Sequence, residues 1–301
     1  MIVRENPKPW ELLFILRGSI IPAIWVQLVA VTVLSTGVTI CALWGVFKFH
    51  SISPLPFSLI GIALSIFSGF RNSASYERWW EARKILGQHI VEARSFRREI
   101  QAYMSPQQGL PLLRFLLLFA LSFKAHLRDE ATNKDFTDYT RKHKINLKTV
   151  PNQPDHLLDQ MSTRLAKALK RSNLSPQICQ VMEERLVSIS LVLAAAERIK
   201  LTPLPFAYSL LLHRTAYMFC FLLPFGLVDT ASFWTPILTG ILAYTFFGLD
   251  ALGDELSAPF GTGQNCLPLD AITRTIEIDL HRALGETELP NPILPKDFIL
   301  S

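Results

Sequence analysis

The chain has 301 residues; half are hydrophobic, 18% carry charge, and 20 Phe and 6 Trp are present. Soluble domains carry about 25% charged residues, so an ordinary cytosolic globule and a disordered chain are both excluded, and the mean hydropathy of +0.27 agrees. A net charge of +5 suits a nucleic-acid binder or the cytoplasmic side of a membrane protein, and its placement along the chain decides between them.

Residues 18–47 contain no Asp, Glu, Lys or Arg and are bounded by Arg17 and Lys48. Residues 49–70 form a second charge-free run, ending at Arg71, and residues 230–249 a third, between Asp229 and Asp250. A helix needs about 20 apolar residues to cross a hydrocarbon core of about 30 Å, so each run is read as a span. A further apolar stretch between Lys200 and Asp229 is interrupted by His213 and Arg214. It is also read as a span, because an odd number would leave the basic regions on opposite sides. The predicted transmembrane helices cover about residues 22–47, 56–80, 205–227 and 231–250. The first begins too late and is too long for a cleaved signal peptide. Residues 110–123 are apolar as well, but Arg114 splits them and nine residues separate it from Lys124. That run is too short to cross and is predicted to be a core helix outside the membrane.

Of the 30 basic residues, 22 lie in residues 71–203, and the turn between the last two spans holds none. Both termini, the segment of about residues 81–203 and the tail 251–301 are therefore expected in the cytoplasm. This accounts for the basic charge, and no nucleic-acid partner is expected. Residues 76–103 contain no Pro and many Glu/Arg pairs, so the second span is expected to continue as one very long helix. Ser105-Pro106 and Ser175-Pro176 have the form of a cap followed by proline at the first helical position. Helices are expected to follow each, and over residues 157–171 and 269–284. Residues 132–154 are polar and turn-rich, and read as a surface loop.

Signatures of chemistry are scarce. No HExxH, GxSxG, P-loop or GxGxxG occurs, and Cys41, Cys179, Cys220 and Cys266 lie too far apart for a zinc or disulfide pattern. No enzyme activity, metal or cofactor is expected. His89 and Glu92 stand at helical spacing, and read as an exposed pair rather than a site. In the second span Ile62, Ile66 and Phe70 recur every fourth residue, beside a stripe of small residues, Ser65, Gly69 and Ser73. Small stripes let membrane helices approach closely. Periodicity alone fits two arrangements: bulky residues toward lipid with the small stripe packed inside the protomer, or helices ringed about an axis with the bulky stripe toward a pore.

The run that follows, Arg71-Asn72-Ser73-Ala74-Ser75-Tyr76-Glu77-Arg78-Trp79-Trp80, resembles the bestrophin family, as does Pro259-Phe260-Gly261 after the fourth span. The order of features agrees over nearly the whole chain, and the bacterial branch is the nearer match. The resemblance implies an all-α membrane protein: residues 1–301 as one subunit with four transmembrane helices and a large helical cytoplasmic region, five copies surrounding a central pore in the bacterial inner membrane. Homopentamer contacts, lipid and permeating monovalent ions are the partners implied. Transferred from Arg78-Trp79-Trp80, the apolar neck of the family falls on Ile62, Ile66 and Phe70; its cytoplasmic aperture, an apolar residue near the start of the helix preceding span three, falls on Ile178, two residues after Pro176. The family's calcium clasp uses acids directly after Pro-Phe-Gly, whereas Thr262-Gly263-Gln264-Asn265-Cys266 has none, so no clasp is expected. Sodium-like monovalent cations are the preferred ions on this resemblance, with chloride and other anions the alternative. A membrane enzyme or receptor scaffold would need convergent titratable groups or a ligand module, and neither is visible. Arg214, inside the third span, is expected to pair with Asp250 or Glu77 rather than to act in conduction, since an intramembrane charge is usually paired.

Overall fold

The computed structural model describes residues 1–4, 8–12, 15, 18–45, 53–130, 134–142, 150–171 and 175–301. In chain order they form α1 (Pro9–Leu12), α2 (Ile21–Leu43), α3 (Leu55–Tyr103), α4 (Pro106–Arg128), α5 (Lys134–Lys142), α6 (Gln153–Arg171), α7 (Pro176–Leu201), α8 (Phe206–Ala231), a 3-10 turn at Ser232–Trp234, α9 (Thr235–Ser257) and α10 (Leu269–Ala283). Among the described residues, β pairing is limited to isolated bridges at Ile2, Lys296 and Ile299. The protein is an all-α membrane protein. Arg17 and Lys48, which bound the first charge-free run, lie outside the described residues. The contacts divide the chain into two compact units, one of residues 4–79 and 203–259, the other of residues 1–3, 80–202 and 260–301.

The first unit gathers α2, the first half of α3, α8 and α9. At 1.5 Å per residue, the 23 residues of α2 reach about 35 Å, enough to cross hydrocarbon. Its core joins Ile24 and Val31 of α2, Leu64 of α3, Phe219, Cys220 and Leu223 of α8, and Ala243 and Phe247 of α9. Gly226 of α8 is a packing requirement, because a Cβ there would lie 2.4 Å from the Phe57 ring. Hydroxyls on these helices bond back one turn to their own carbonyls: Thr36 to Thr32, Ser65 to Gly61, Thr215 to Leu211 and Thr245 to Ile241. That satisfies them where no water is available. The last helix runs on to Ser257, about two turns past the predicted end of its span.

The second unit is built around α4. This helix is long and apolar enough to cross a membrane, yet 78% of its apolar window is buried inside the protein, against 22% for α2 and 17% for α3. It is a core helix, as Arg114 and Lys124 in the sequence imply, and Leu112, Leu116, Leu117 and Phe119 are fully enclosed. Helices α6 and α10 pack on it; Arg128 and Lys124 hold Asp270 at the start of α10, at 2.7 and 3.2 Å. Burial alone would raise the Asp270 carboxyl, but hydrogen bonding and charge from Arg128, joined by Lys124, hold it below its ordinary value. The chain ends pair with each other: Val3 N–H donates to the Phe298 carbonyl and Leu300 N–H to that of Met1, both at 2.8 Å.

Ser105 and Ser175 cap α4 and α7 with Pro at the first position, as their spacing predicts, and the Ile178 amide donates to Ser175 Oγ at 3.3 Å. The surface loop expected at residues 132–154 is corrected in part, because α5 occupies Lys134–Lys142. Its polar residues mask an amphipathic turn pair: Tyr139 is buried while its neighbours are not.

Candidate pore helix and its charge network

No proline interrupts α3 after Pro56, so the 49-residue helix runs for roughly 74 Å at 1.5 Å per residue. In its first half three faces behave differently. Leu64, Ser68, Arg71 and Ser75 are buried, spaced four, three and four apart, and form the face that packs inside the protomer. Ile62, Ile66 and Phe70 lie on another face, 59%, 52% and 64% exposed. Ser65, Gly69 and Ser73 are exposed too, and a Cβ built on Gly69 would meet nothing within 4 Å. Ile62, Ser65 and Ile66 border an open apolar groove of about 500 Å³ completed by Phe219, Leu223 and Phe246.

Immediately after Phe70 the chemistry changes. Arg71 is 3% exposed; its Nη1 donates to Asp250 Oδ1 and, at 3.1 Å, to the Asp250 carbonyl, while Nη2 donates to Asp254. His213 Nδ1 lies 2.6 Å from the other Asp250 carboxylate oxygen. The expected pairing of Arg214 with Asp250 or Glu77 is therefore corrected: Asp250 is taken by Arg71 and His213, and Arg214 is exposed among Leu211, Met218 and Leu222. The reason is helical phase. Consecutive residues point about 100° apart, and His213 is the one turned toward α9. Asn72 and Ser75, on the same side of α3 as Arg71, carry buried side-chain polar atoms without a protein partner.

Arg78 Nε donates to the Ser257 carbonyl at 2.7 Å, two residues before Pro259. Trp79 is half-buried and stacks with Tyr76 at 6.3 Å, Trp80 is exposed, and Pro259 and Phe260 are buried. Gly261 opens the turn that continues through Thr262 and Gly263. Ile178 is half-buried in the first turn of α7.

His89 and Glu92 do not form the exposed pair expected of them; both are buried. The His89 ring sits 5.6 Å from that of Phe119 and 4.8 Å from that of Phe123, and burial lowers its pKa to about 4. Glu92 turns instead to Gln88 and Arg185. Among the described residues no group of three His, Cys, Asp or Glu side chains gathers as a metal would require.

Sequence reasoning missed Arg71, Asp254 and His213 as one network. A signal was present: Arg71 and Asp250 are the first charges after two charge-free runs. Two such residues at the same end of neighbouring spans are natural partners.

The helical architecture, with apolar spans and a separate helical unit, defines a multi-pass membrane protein. Residues 1–282 match the bacterial/fungal bestrophin protein family, and the chain belongs to that family. It is 40% identical over 298 residues to a voltage-dependent anion channel-forming protein of Mesorhizobium japonicum, covering 99% of this chain and 96% of that one. It is 37% identical to the voltage-dependent anion channel-forming protein YneE of Escherichia coli K12, with 98% of each chain covered. A crystal structure of a bacterial bestrophin homologue from Klebsiella pneumoniae superposes with a TM-score of 0.81 at 33% identity, covering 88% of this chain and 100% of that one.

Proposed function

We propose that the chain is the subunit of a homopentameric channel of the bacterial inner membrane that passes monovalent anions through a neck of Ile62, Ile66 and Phe70. One observation carries this reading: the packing of the first half of α3. Its protomer contact uses Leu64, Ser68 and Arg71, and both the small stripe and the bulky stripe are left uncovered. If the bulky stripe faced lipid, the small stripe would be the one packed inside the protomer; instead it is free for a neighbouring α3. Five such helices side by side turn their bulky stripes toward one axis, and an apolar ring controls ions by excluding water. The preference for sodium-like cations finds no support. The relatives are named as anion channels, which favours the alternative.

Four crossings leave both termini on one side, which we take as the cytoplasm because 22 of the 30 basic residues fall in residues 71–203, between the second and third spans. Exposed aromatic residues at helix ends, Trp44 and the Phe233–Trp234 turn, suit the opposite interface. Ile178 is assigned to the aperture on the family resemblance.

Bilayer recording of the purified protein under a sodium chloride gradient tests the reading. Current should reverse near the chloride equilibrium potential. Reversal near that of sodium overturns the anion assignment. Ile66→Ala should raise conductance or open probability in an intact pentamer, and wild-type current from such a pentamer overturns the neck.

A further inference from the structure

Arg71 directly follows the innermost neck residue, and it is the most buried charge among the described residues of its unit. The guanidinium is anchored to α9 at Asp250 and Asp254, and Asp250 is in turn held by His213 of α8. Gly253 of α9 lets the clamp sit close to the backbone: a Cβ there would lie 2.6 Å from Asn72 Oδ1 and 3.4 Å from Arg71 Cζ. Any rotation of α3 that swings Phe70 about the helix axis also swings Arg71, because neighbouring residues share the same backbone turn. Such a rotation withdraws a 3% exposed arginine from two carboxylates, and an unpaired buried charge is costly.

We propose that Arg71 is a positioning residue for conduction: its clamp on Asp250 and Asp254 fixes the rotation of α3 and so sets how far the Phe70 rings intrude into the neck. The inference rests on the neck assignment above and goes beyond it by naming what holds the neck in register. A network that only held the protomer together would affect assembly and stability, without passing its effect through Phe70. The clamp predicts an effect on open probability that requires the Phe70 ring.

The test is single-channel recording of full-length pentamers in symmetrical sodium chloride, comparing Asp250→Asn, Phe70→Ala, the double variant and Ile66→Ala. Asparagine keeps the shape of Asp250 and removes its charge. Asp250→Asn should change open probability at least about fivefold, the lower end of ordinary coupling between two sites. In the Phe70→Ala background the same substitution should change it less than about twofold, because interacting residues are non-additive. Equal effects in both backgrounds overturn the proposal. So does an unchanged open probability in Asp250→Asn while Ile66→Ala still alters the current, and that result leaves the neck standing. If neither variant alters the current, the neck assignment fails, and the clamp with it. Should Asp250→Asn not assemble, Asp254→Asn, whose side chain is 65% exposed, enters the same comparison with the same criteria.

Discussion

Arg185 of α7 lies 2.7 Å from Glu92 of α3, and the Glu92 side chain is only 6% exposed. A second bond, at 2.9 Å, reaches Glu99 two turns further along α3. These acids, Glu99 first, raise the Arg185 pKa above its ordinary value. Arg185→Ala leaves a carboxylate buried without a counter-charge, which costs about 3–5 kcal/mol. Arg198, paired with Glu81 at a position where both side chains are well exposed, should cost less than about 1 kcal/mol when changed to Ala. Thermal unfolding of the two purified variants in one detergent checks the contrast.

Acid should weaken the unit that contains His89. In the folded protein its pKa is lowered to about 4, while an unfolded chain takes up the proton near 6.5. Above pH 6.5 both states are neutral and the residue adds no pH dependence. Between pH 6.5 and 4 the unfolded state alone binds the proton, so stability falls, by on the order of 2 kcal/mol at pH 5. His89→Leu should remove that portion of the loss, which unfolding measurements at pH 7.5 and pH 5 will show.

Two glycine substitutions should fail at different stages. Gly226→Ala forces a methyl group into the Phe57 ring, and overpacking of this kind costs about 1–3 kcal/mol. It should lower the unfolding temperature of the protomer. Gly69→Ile meets open space within the protomer, so the helical content of the protein should be unchanged while the pentamer proposed above is lost. Circular dichroism read beside native mass spectrometry distinguishes the two.

Calcium should leave the current unaltered. The turn after Pro259-Phe260-Gly261 presents Thr262, Gly263, Gln264, Asn265 and Cys266, whereas calcium sites draw on carboxylates for much of their six- to eight-fold coordination. A rise in current on adding micromolar calcium to the cytoplasmic face, abolished by chelator, is the contrary result.

The long elements were legible because their signals are local. The absence of proline between Phe57 and Tyr103 predicts the unbroken α3, and Ser-Pro pairs predict the starts of α4 and α7. What escaped depends on helical phase and on tertiary neighbours. Whether His213 or Arg214 meets Asp250 turns on about 100° of rotation, which the apolar run around them does not encode. The burial of His89 and Glu92 is set by Phe119, Phe123 and Arg185, which lie 30 to 93 positions away in the chain. The bulky stripe was legible as a stripe, but its lack of cover appeared only once Leu64, Ser68 and Arg71 were seen to form the packed face.

Glu92 and Glu99 stand on one uninterrupted helix, and that fixes the arithmetic of the stretch between them. Inserting a single residue there turns everything beyond it by about 100° and advances it by about 1.5 Å. Arg185 could then hold Glu92 or Glu99, but no longer both. No side-chain change elsewhere restores a lost register of that size. Relatives that keep both contacts are therefore expected to align through this segment without a gap, and to vary in length only in the connections between helices.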